Sequence, residues 1–298
     1  MKHHSLSSAF SALLLAAALL PAAVSAAPCG VAADGDVANV LRTAIKLGDA
    51  QNVRCLLDNG VDANVADSDG WTALMLAARN GHTTIAQNLI EKGALVNAVV
   101  PNGKAAGATA LMLAAYNGQT DTARLLIEKG AQVNAAGEDG FTALMYAVHH
   151  TDTARLLIEK GAQVNVTNKN GASVLMLAAW GGHTNTVRLL IDKGAQVNAS
   201  VASGKAAGLT ALIAAAMDGH ADTVRLLIEK GAQVNATEQD GLTALIAAAM
   251  NGHADTVRLL IASGANVNAT TKEGITALAS AEGHAAVVQM LRAAGAKE

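Results

Sequence analysis

One phrase of sequence recurs along this chain at a nearly fixed spacing. Its fullest form runs Asp240-Gly241-Leu242-Thr243-Ala244-Leu245, then Ala248-Ala249, Gly252-His253, Val257-Arg258-Leu259-Leu260-Ile261, Gly264-Ala265 and Val267-Asn268-Ala269. The opening hydroxyl residue returns at Thr72, Thr109, Thr142, Ser173, Thr210, Thr243 and Thr276, with steps of 37, 33, 31, 37, 33 and 33 residues. An eighth, divergent copy lies upstream, where Leu41, Ala44, Gly48, Val53, Leu56, Leu57, Gly60 and Asn64 fall in register. A unit of this length is one helical hairpin that cannot bury its apolar face alone, so successive units must stack.

Each unit can be read residue by residue. The opening Thr is placed to cap a helix, its hydroxyl accepting from the exposed amides of the first turn. Leu74, Ala77 and Ala78 follow at helical spacing, and the alanines admit a neighbouring helix closely. Gly81 suits a left-handed helix end, a second helix carries Leu89 and Ile90 inward, and Gly93 closes it. Polar and glycine residues then supply an extended loop or tight hairpin. Hydrophobic residues make up 51% of the chain but aromatics only 2%, a composition that suits short stacked helices better than a large sheet core.

The pattern resembles the ankyrin repeat over roughly residues 37 to 296, with the opening Thr-Pro-Leu-His of that family written here as Thr-Ala-Leu-Met (Thr72 to Met75) or Thr-Ala-Leu-Ile (Thr210 to Ile213). The resemblance implies an all-α solenoid of paired antiparallel helices with short β-hairpin loops, about eight units in 37–298 including divergent terminal caps. It also implies a protein partner held on a concave face lined by first helices and hairpin tips. In that family, contacts come from the residue before the opening Thr and from the end of the first helix. Trp71 and Phe141 occupy the first position; Tyr116 and Trp180 occupy the second, as do Arg79, Met217 and Met250. Aromatics and Arg are also the residue types enriched in binding hot spots. The competing reading is that these aromatics fill gaps between hairpins, as Tyr146 does at a position usually taken by Leu.

Two hairpins carry the same insertion, Gly103-Lys104-Ala105-Ala106-Gly107 and Gly204-Lys205-Ala206-Ala207-Gly208, 101 residues apart. That distance is three units, so duplication of a block explains the match; the functional reading makes Lys104 and Lys205 the tips of two fingers that reach a partner. The glycine spacing and the Ser/Thr of a phosphate-binding loop are missing. The unit opening at Thr142 is two residues short and puts His149-His150 where Gly-His is expected, which should distort the stack locally.

Catalysis finds no support. No nucleophile or metalloprotease motif is present, and the Gly-His histidines His82, His183, His220, His253 and His284 fall one per unit, as a structural position would. Pairs such as Arg124/Glu128, Arg155/Glu159, Arg188/Asp192 and Arg225/Glu229 are four apart and read as a solvated helical ladder. Charge is near balance at −3 with no Lys/Arg run, which speaks against nucleic acid.

At the start, Lys2, the Ala/Leu run from Ala12 to Leu20, Pro21 and Val24-Ser25-Ala26 read as a secretory leader over 1–26, followed by an N-terminal segment 27–36. The apolar run is too short to span a bilayer stably. Removing one Lys leaves 20 basic and 24 acidic residues, a net of −4. The expected product is a monomeric, membrane-free protein of the periplasm or exterior, an exported bacterial-type repeat protein. There Cys29 and Cys55 could pair; alternatively Cys55 is a small buried residue and Cys29 a free thiol. The expected function is non-catalytic protein binding without cofactor or metal. The alternative is a small-molecule or metal receptor built on the shortened unit around His149-His150.

Overall fold

Thr72 shows how each unit begins. Its backbone is extended (φ −77°, ψ 161°) and its hydroxyl accepts the N–H of Met75 at 3.2 Å, satisfying one of the amides a helix start leaves open. The same bond recurs from Thr109 to Met112, Thr142 to Met145, Ser173 to Met176, Thr210 to Ile213, Thr243 to Ile246 and Thr276 to Ala279. In this computed structural model Cys29 and residues 36–297 are described; the leader and most of the segment 27–36 lie outside the described residues. The described chain forms two compact units that divide after Glu138.

Unit 1 contains three helix pairs: α1 (Val37–Leu47) with α2 (Ala50–Asp58), α3 (Ala73–Asn80) with α4 (Thr83–Glu91), and α5 (Ala110–Tyr116) with α6 (Thr120–Glu128). Unit 2 contains five. They are α7 (Ala143–Tyr146) with α8 (Thr151–Glu159), α9 (Val174–Trp180) with α10 (Thr184–Asp192), α11 (Ala211–Met217) with α12 (Ala221–Glu229), α13 (Ala244–Met250) with α14 (Ala254–Ala262), and α15 (Ala277–Ser280) with α16 (Ala285–Ala293). Each hairpin is pinned by a single antiparallel bridge, for example Ala66 to Thr72 and Ser200 to Thr210. The fold is thus all-α, with hairpins too short to make strands among the described residues.

Whereas the terminal α1 and α15 bury less, first helices within the stack are mostly buried, Ala73 through Ala78 all being core. Their alanines are needed there, because first helices sit between neighbours on both sides. Second helices bury one stripe, such as Ile85, Ala86 and Leu89. The Gly-His turn has a specific packing reason. The glycine is left-handed, as at Gly219 (φ 74°), and the histidine ring of the next repeat lies against it. A Cβ on Gly219 would come within 2.4 Å of His253 Nδ1, and one on Gly182 within 2.4 Å of His220 Nδ1.

The repeats are tied together by asparagine. Asn198 donates from Nδ2 to the carbonyl of Gly231 at 2.9 Å and accepts the N–H of Gln233 at 2.8 Å. Asn64 does the same with Gly93 and Leu95, Asn97 with Gly130 and Gln132, Asn165 with Gly194 and Gln196, and Asn235 with Gly264 and Asn266. Threonine pairs such as Thr83–Thr122 and Thr184–Thr223, each 2.7 Å apart, add a second rung between second helices.

Two expectations need correction. The ladder of pairs four apart does not form: Asp192 is bound by Lys230 of the next repeat at 2.9 Å, not by Arg188, and that hydrogen bond holds its carboxyl below the ordinary range. Asp58 is bound most closely by Lys92 of the next repeat, at 2.6 Å, with Arg54 four residues back at 4.0 Å. A lysine ammonium beyond the helix end reaches the neighbouring carboxylate more directly than an arginine one turn back. The inserted loops, for their part, are not free fingers. Glu138 N–H donates to Ala106 O at 3.2 Å, and Gln239 N–H donates to Ala207 O at 2.7 Å, so each insertion lies down on the hairpin of the next repeat. The shortened repeat does distort, as its length implies: α7 stops after one turn and a 3₁₀ turn, Ala147–His149, completes it.

At the N-terminal end a disulfide joins Cys29 to Cys55 on α2, with Cα atoms 5.5 Å apart and a sequence separation of 26. Closing a loop of that size stabilises by about 3 kcal/mol. Reduction, or Cys29→Ser, should lower the stability of unit 1 by that order in chemical denaturation. Thiol labelling of the unfolded, unreduced chain should detect no reactive cysteine. A different bond is tested by Asn198→Ala, which strips two backbone groups of their partner. It should cost about 2 kcal/mol, read as a lower denaturation midpoint.

Candidate functional site

The divergent first repeat shapes the most distinctive concavity of unit 1. Asp67 organises it. Its Oδ1 accepts the N–H groups of Asp69 (3.1 Å) and Trp71 (2.8 Å), a turn that carries Trp71 inward, while its Oδ2 receives Arg42 from α1 at 2.5 Å. Trp71 is thereby half-buried, and the guanidinium of Arg79, at the end of α3, lies 5.9 Å from its ring centroid. This is a cation–π contact, the more effective for being partly desolvated.

The inserted hairpin closes the other side. Gly107 N–H donates to Val100 O at 2.8 Å and Val100 N–H to Ala108 O at 3.0 Å. Gly107 is left-handed (φ 79°), and a Cβ there would meet Glu138 N at 2.8 Å. The loop is therefore a folded wall, with Asn102, Gly103, Lys104 and Ala105 facing a cleft of about 320 Å³. Arg42, Lys46, Asp67, Asp69, Trp71, Leu76, Arg79 and Val100 complete the lining. Four cations and two carboxylates meet there, against a whole-chain charge of −3.

The residues singled out from sequence divide clearly on this geometry. Trp71 and Arg79, singled out as family contact positions, and Lys104, singled out on its insertion, line one cleft. Tyr116 ends α5, half-buried, and is not part of the lining. In unit 2, Trp180 is 44% exposed with its indole N–H donating to Asp218 at 2.9 Å, and Met250 is 49% exposed. Met217 is half-buried and occupies the same last-helix position as these two. Lys205 is exposed on the second insertion, whose carbonyl accepts from Gln239 Nε2 at 3.2 Å.

Phe141 does not suit a contact role. It is 7% exposed, and its ring lies 5.3 Å from that of Tyr146. The short repeat explains this, since α7 is one turn long and brings Tyr146 back over the hairpin. Sequence reasoning missed Arg42, Lys46 and Asp67. The signal was available: Arg42 and Lys46 are four apart, on one face of α1.

The histidines of the shortened repeat were the alternative site. His149 closes the 3₁₀ turn and His150 is extended (φ −127°), so they do not share a helix. His149 meets His183 edge-on at a centroid distance of 4.3 Å. Among the described residues no three of His, Cys, Asp and Glu are placed to hold a metal. His183 is lowered to about 4 by burial first, then by the charges of His149, His220 and His150, and its Nε2 is buried without a hydrogen-bond partner. His149, exposed as a residue but with its ring against His183, is lowered by burial and then by His150. These are histidines kept neutral by packing.

Comparison with known proteins agrees with this architecture. The family described as ankyrin repeats, in blocks of three copies, matches residues 12–100, 95–168, 162–238 and 235–297. The chain belongs to that family. Its members are repeat scaffolds that in general mediate protein–protein interaction and in general are not catalysts. Among curated relatives, human M-phase phosphoprotein 8 is 42% identical over 77 residues, 25% of this chain and 9% of that protein. Human ankyrin repeat domain-containing protein 39 is 43% identical over 51 residues, 17% of this chain and 28% of that protein. The chain thus spans less than a third of either relative.

The neutral histidines generate a pH prediction. An unfolded histidine protonates near 6.5, whereas His183 in the fold does so only near 4. Between those values the unfolded chain binds more protons, so stability falls as pH drops through that window. Melting temperatures measured from pH 7 to pH 4 should fall less steeply for His183→Gln than for the native chain.

Proposed function

We propose that this chain is a non-catalytic scaffold that acts in an exported compartment by holding another protein against its first helices and hairpin tips. The observation that carries this reading is the unit 1 cleft. Trp71, Arg79 and Lys104 converge there on a folded wall, presenting an aromatic face and cationic groups of the kind found in binding hot spots. Trp180, Met217 and Met250, in register at the ends of α9, α11 and α13, offer a second, more apolar contact row within unit 2. Tyr116 and Lys205 belong to the wider contact set, and Phe141 does not, being core.

Export is supported by the leader-like composition of 1–26 and by the Cys29–Cys55 bridge, a bond that persists in oxidising compartments. On this reading 27–36 precedes a repeat domain that runs from 37 to 298, and the mature protein is a monomer without membrane or nucleic-acid attachment. Neither cofactor nor metal enters its action. The receptor alternative lacks a supporting observation, because His149 and His183 pack on each other rather than around an open site.

The test is affinity capture from an extract of the exported compartment, using the oxidised chain, a Trp71→Ala/Arg79→Ala/Lys104→Ala variant and a Trp180→Ala/Met217→Ala/Met250→Ala variant. A protein retained by the native chain and at least tenfold depleted on the first variant, with its melting temperature intact, is the expected result. Equal retention by all three forms would sink the reading.

A further inference from the structure

The cleft of unit 1 also has a chemistry that defines its occupant. We propose that it takes an extended, acidic segment of the partner protein, seating a carboxylate among Lys46, Arg79 and Lys104 with an apolar neighbour against Trp71. This rests on the protein-binding reading and specifies it.

Charge complementarity is the first argument. Of the two carboxylates in the lining, Asp67 is fully engaged: Arg42 holds one oxygen and two backbone N–H groups hold the other. It therefore neutralises Arg42 and nothing else. Among the described residues no ion pair involves Lys46, Arg79 or Lys104. Three cations against Asp69 leave the cleft positive in an acidic protein. Arg79 is prepared for the task. Its guanidinium sits 5.9 Å from the Trp71 ring centroid and carries a planar fork of N–H donors that can hold a carboxylate bidentately.

The second argument is internal to the sequence. The block that contains this cleft recurs 101 residues later, and of the cleft's cations, carboxylates and tryptophan the later copy keeps only the insertion lysine. By that offset Asp67 becomes Asn168, Trp71 becomes Ala172, Arg79 becomes Trp180 and Lys46 becomes Ala147, whereas Lys104 remains as Lys205. The positive, aromatic lining is therefore not a by-product of the repeat pattern. It is particular to the first copy.

The third argument selects a peptide over other anions. Leu76 and Val100 give the cleft an apolar floor, which an inorganic anion would not use. Asp69 at the rim repels a dense polyanion such as nucleic acid but can accept from the backbone N–H groups of a peptide. The volume of about 320 Å³ is at the small end for ligand sites and admits a few side chains of an extended segment.

The probe is a fluorescent peptide of about twelve residues alternating Glu with Leu, compared by anisotropy with versions carrying Gln or Lys in place of Glu. The protein is the oxidised full chain in a Trp180→Phe background, so that Trp71 is the sole tryptophan. Binding of the Glu peptide should quench or shift Trp71 emission and weaken with added salt. It should be at least tenfold tighter than binding of the Gln peptide. Lys46→Glu/Arg79→Glu/Lys104→Glu should abolish it, whereas Lys160→Glu/Lys169→Glu/Lys193→Glu, the same charge change on exposed lysines of unit 2, should shift it less than twofold; thermal melts check that each variant folds. Equal affinity for Glu and Gln peptides overturns the proposal, as does equal loss in both triple variants. Competition by single-stranded DNA or inorganic phosphate at lower concentration than the peptide overturns it in favour of a general anion site. If partner capture depends on Trp71, Arg79 and Lys104 while the Glu peptide fails, the acidic chemistry is wrong and the scaffold reading stands.

Discussion

Within each unit, the bond on which the stack depends is the two-sided grip of one asparagine on the next repeat. Its amide nitrogen takes a glycine carbonyl and its amide oxygen takes an N–H two residues on, as Asn198 does with Gly231 and Gln233. A helix C-terminus leaves carbonyls without partners; here the neighbour's side chain supplies one. Apolar burial between alanine-rich first helices is non-directional and would tolerate slippage by part of a turn. The asparagine fixes register, because both of its bonds form only at one offset. Specific hydrogen bonds thus set what non-specific packing would leave loose.

That register fixes the binding geometry. The hairpin between α4 and α5 lies on the next repeat through Ala106 O and Glu138 N–H, so Lys104 is presented by a braced wall rather than a mobile tip. Asp67 braces the opposite side by joining its own turn to Arg42 on α1. A pre-organised cleft loses less freedom when a partner orders against it. The disulfide at Cys55 on α2 ties down the repeat that supplies Arg42 and Lys46, so the oxidised bond and the cleft belong to the same end of unit 1.

Most of the architecture was legible from the recurring phrase. Thr caps, left-handed glycines and the alanine stripe each carry a local mechanism, and local mechanisms survive in single-sequence reasoning. The role of Asn64, Asn97 and Asn198 was not legible, since its bonds go to residues about one repeat away and nothing in the local pattern asks for them. Phe141 was misplaced for a related reason. Position alone put it with Trp71, but the two residues missing from its repeat cut α7 to one turn and folded Tyr146 onto its ring. The helical ladder of Arg and carboxylate failed likewise, because Lys230 one repeat on is a nearer partner for Asp192 than Arg188 one turn back.

The departures from the repeat carry the function-bearing information. Positions that recur, such as the Gly-His turn, are accounted for by packing: the ring of His253 needs the bare glycine at Gly219. A site that chooses a partner must break that uniformity, since identical repeats would offer identical surfaces. Unit 1 breaks it by charge, collecting Arg42, Lys46, Arg79 and Lys104 around one tryptophan. Unit 2 breaks it by shape, through a repeat shortened at His149-His150, where the rings of His149 and His183 are packed on each other and kept neutral. Only the first kind of break leaves unneutralised groups facing an open cavity, and that contrast is why the binding reading rests on Trp71 and its cations rather than on the histidines.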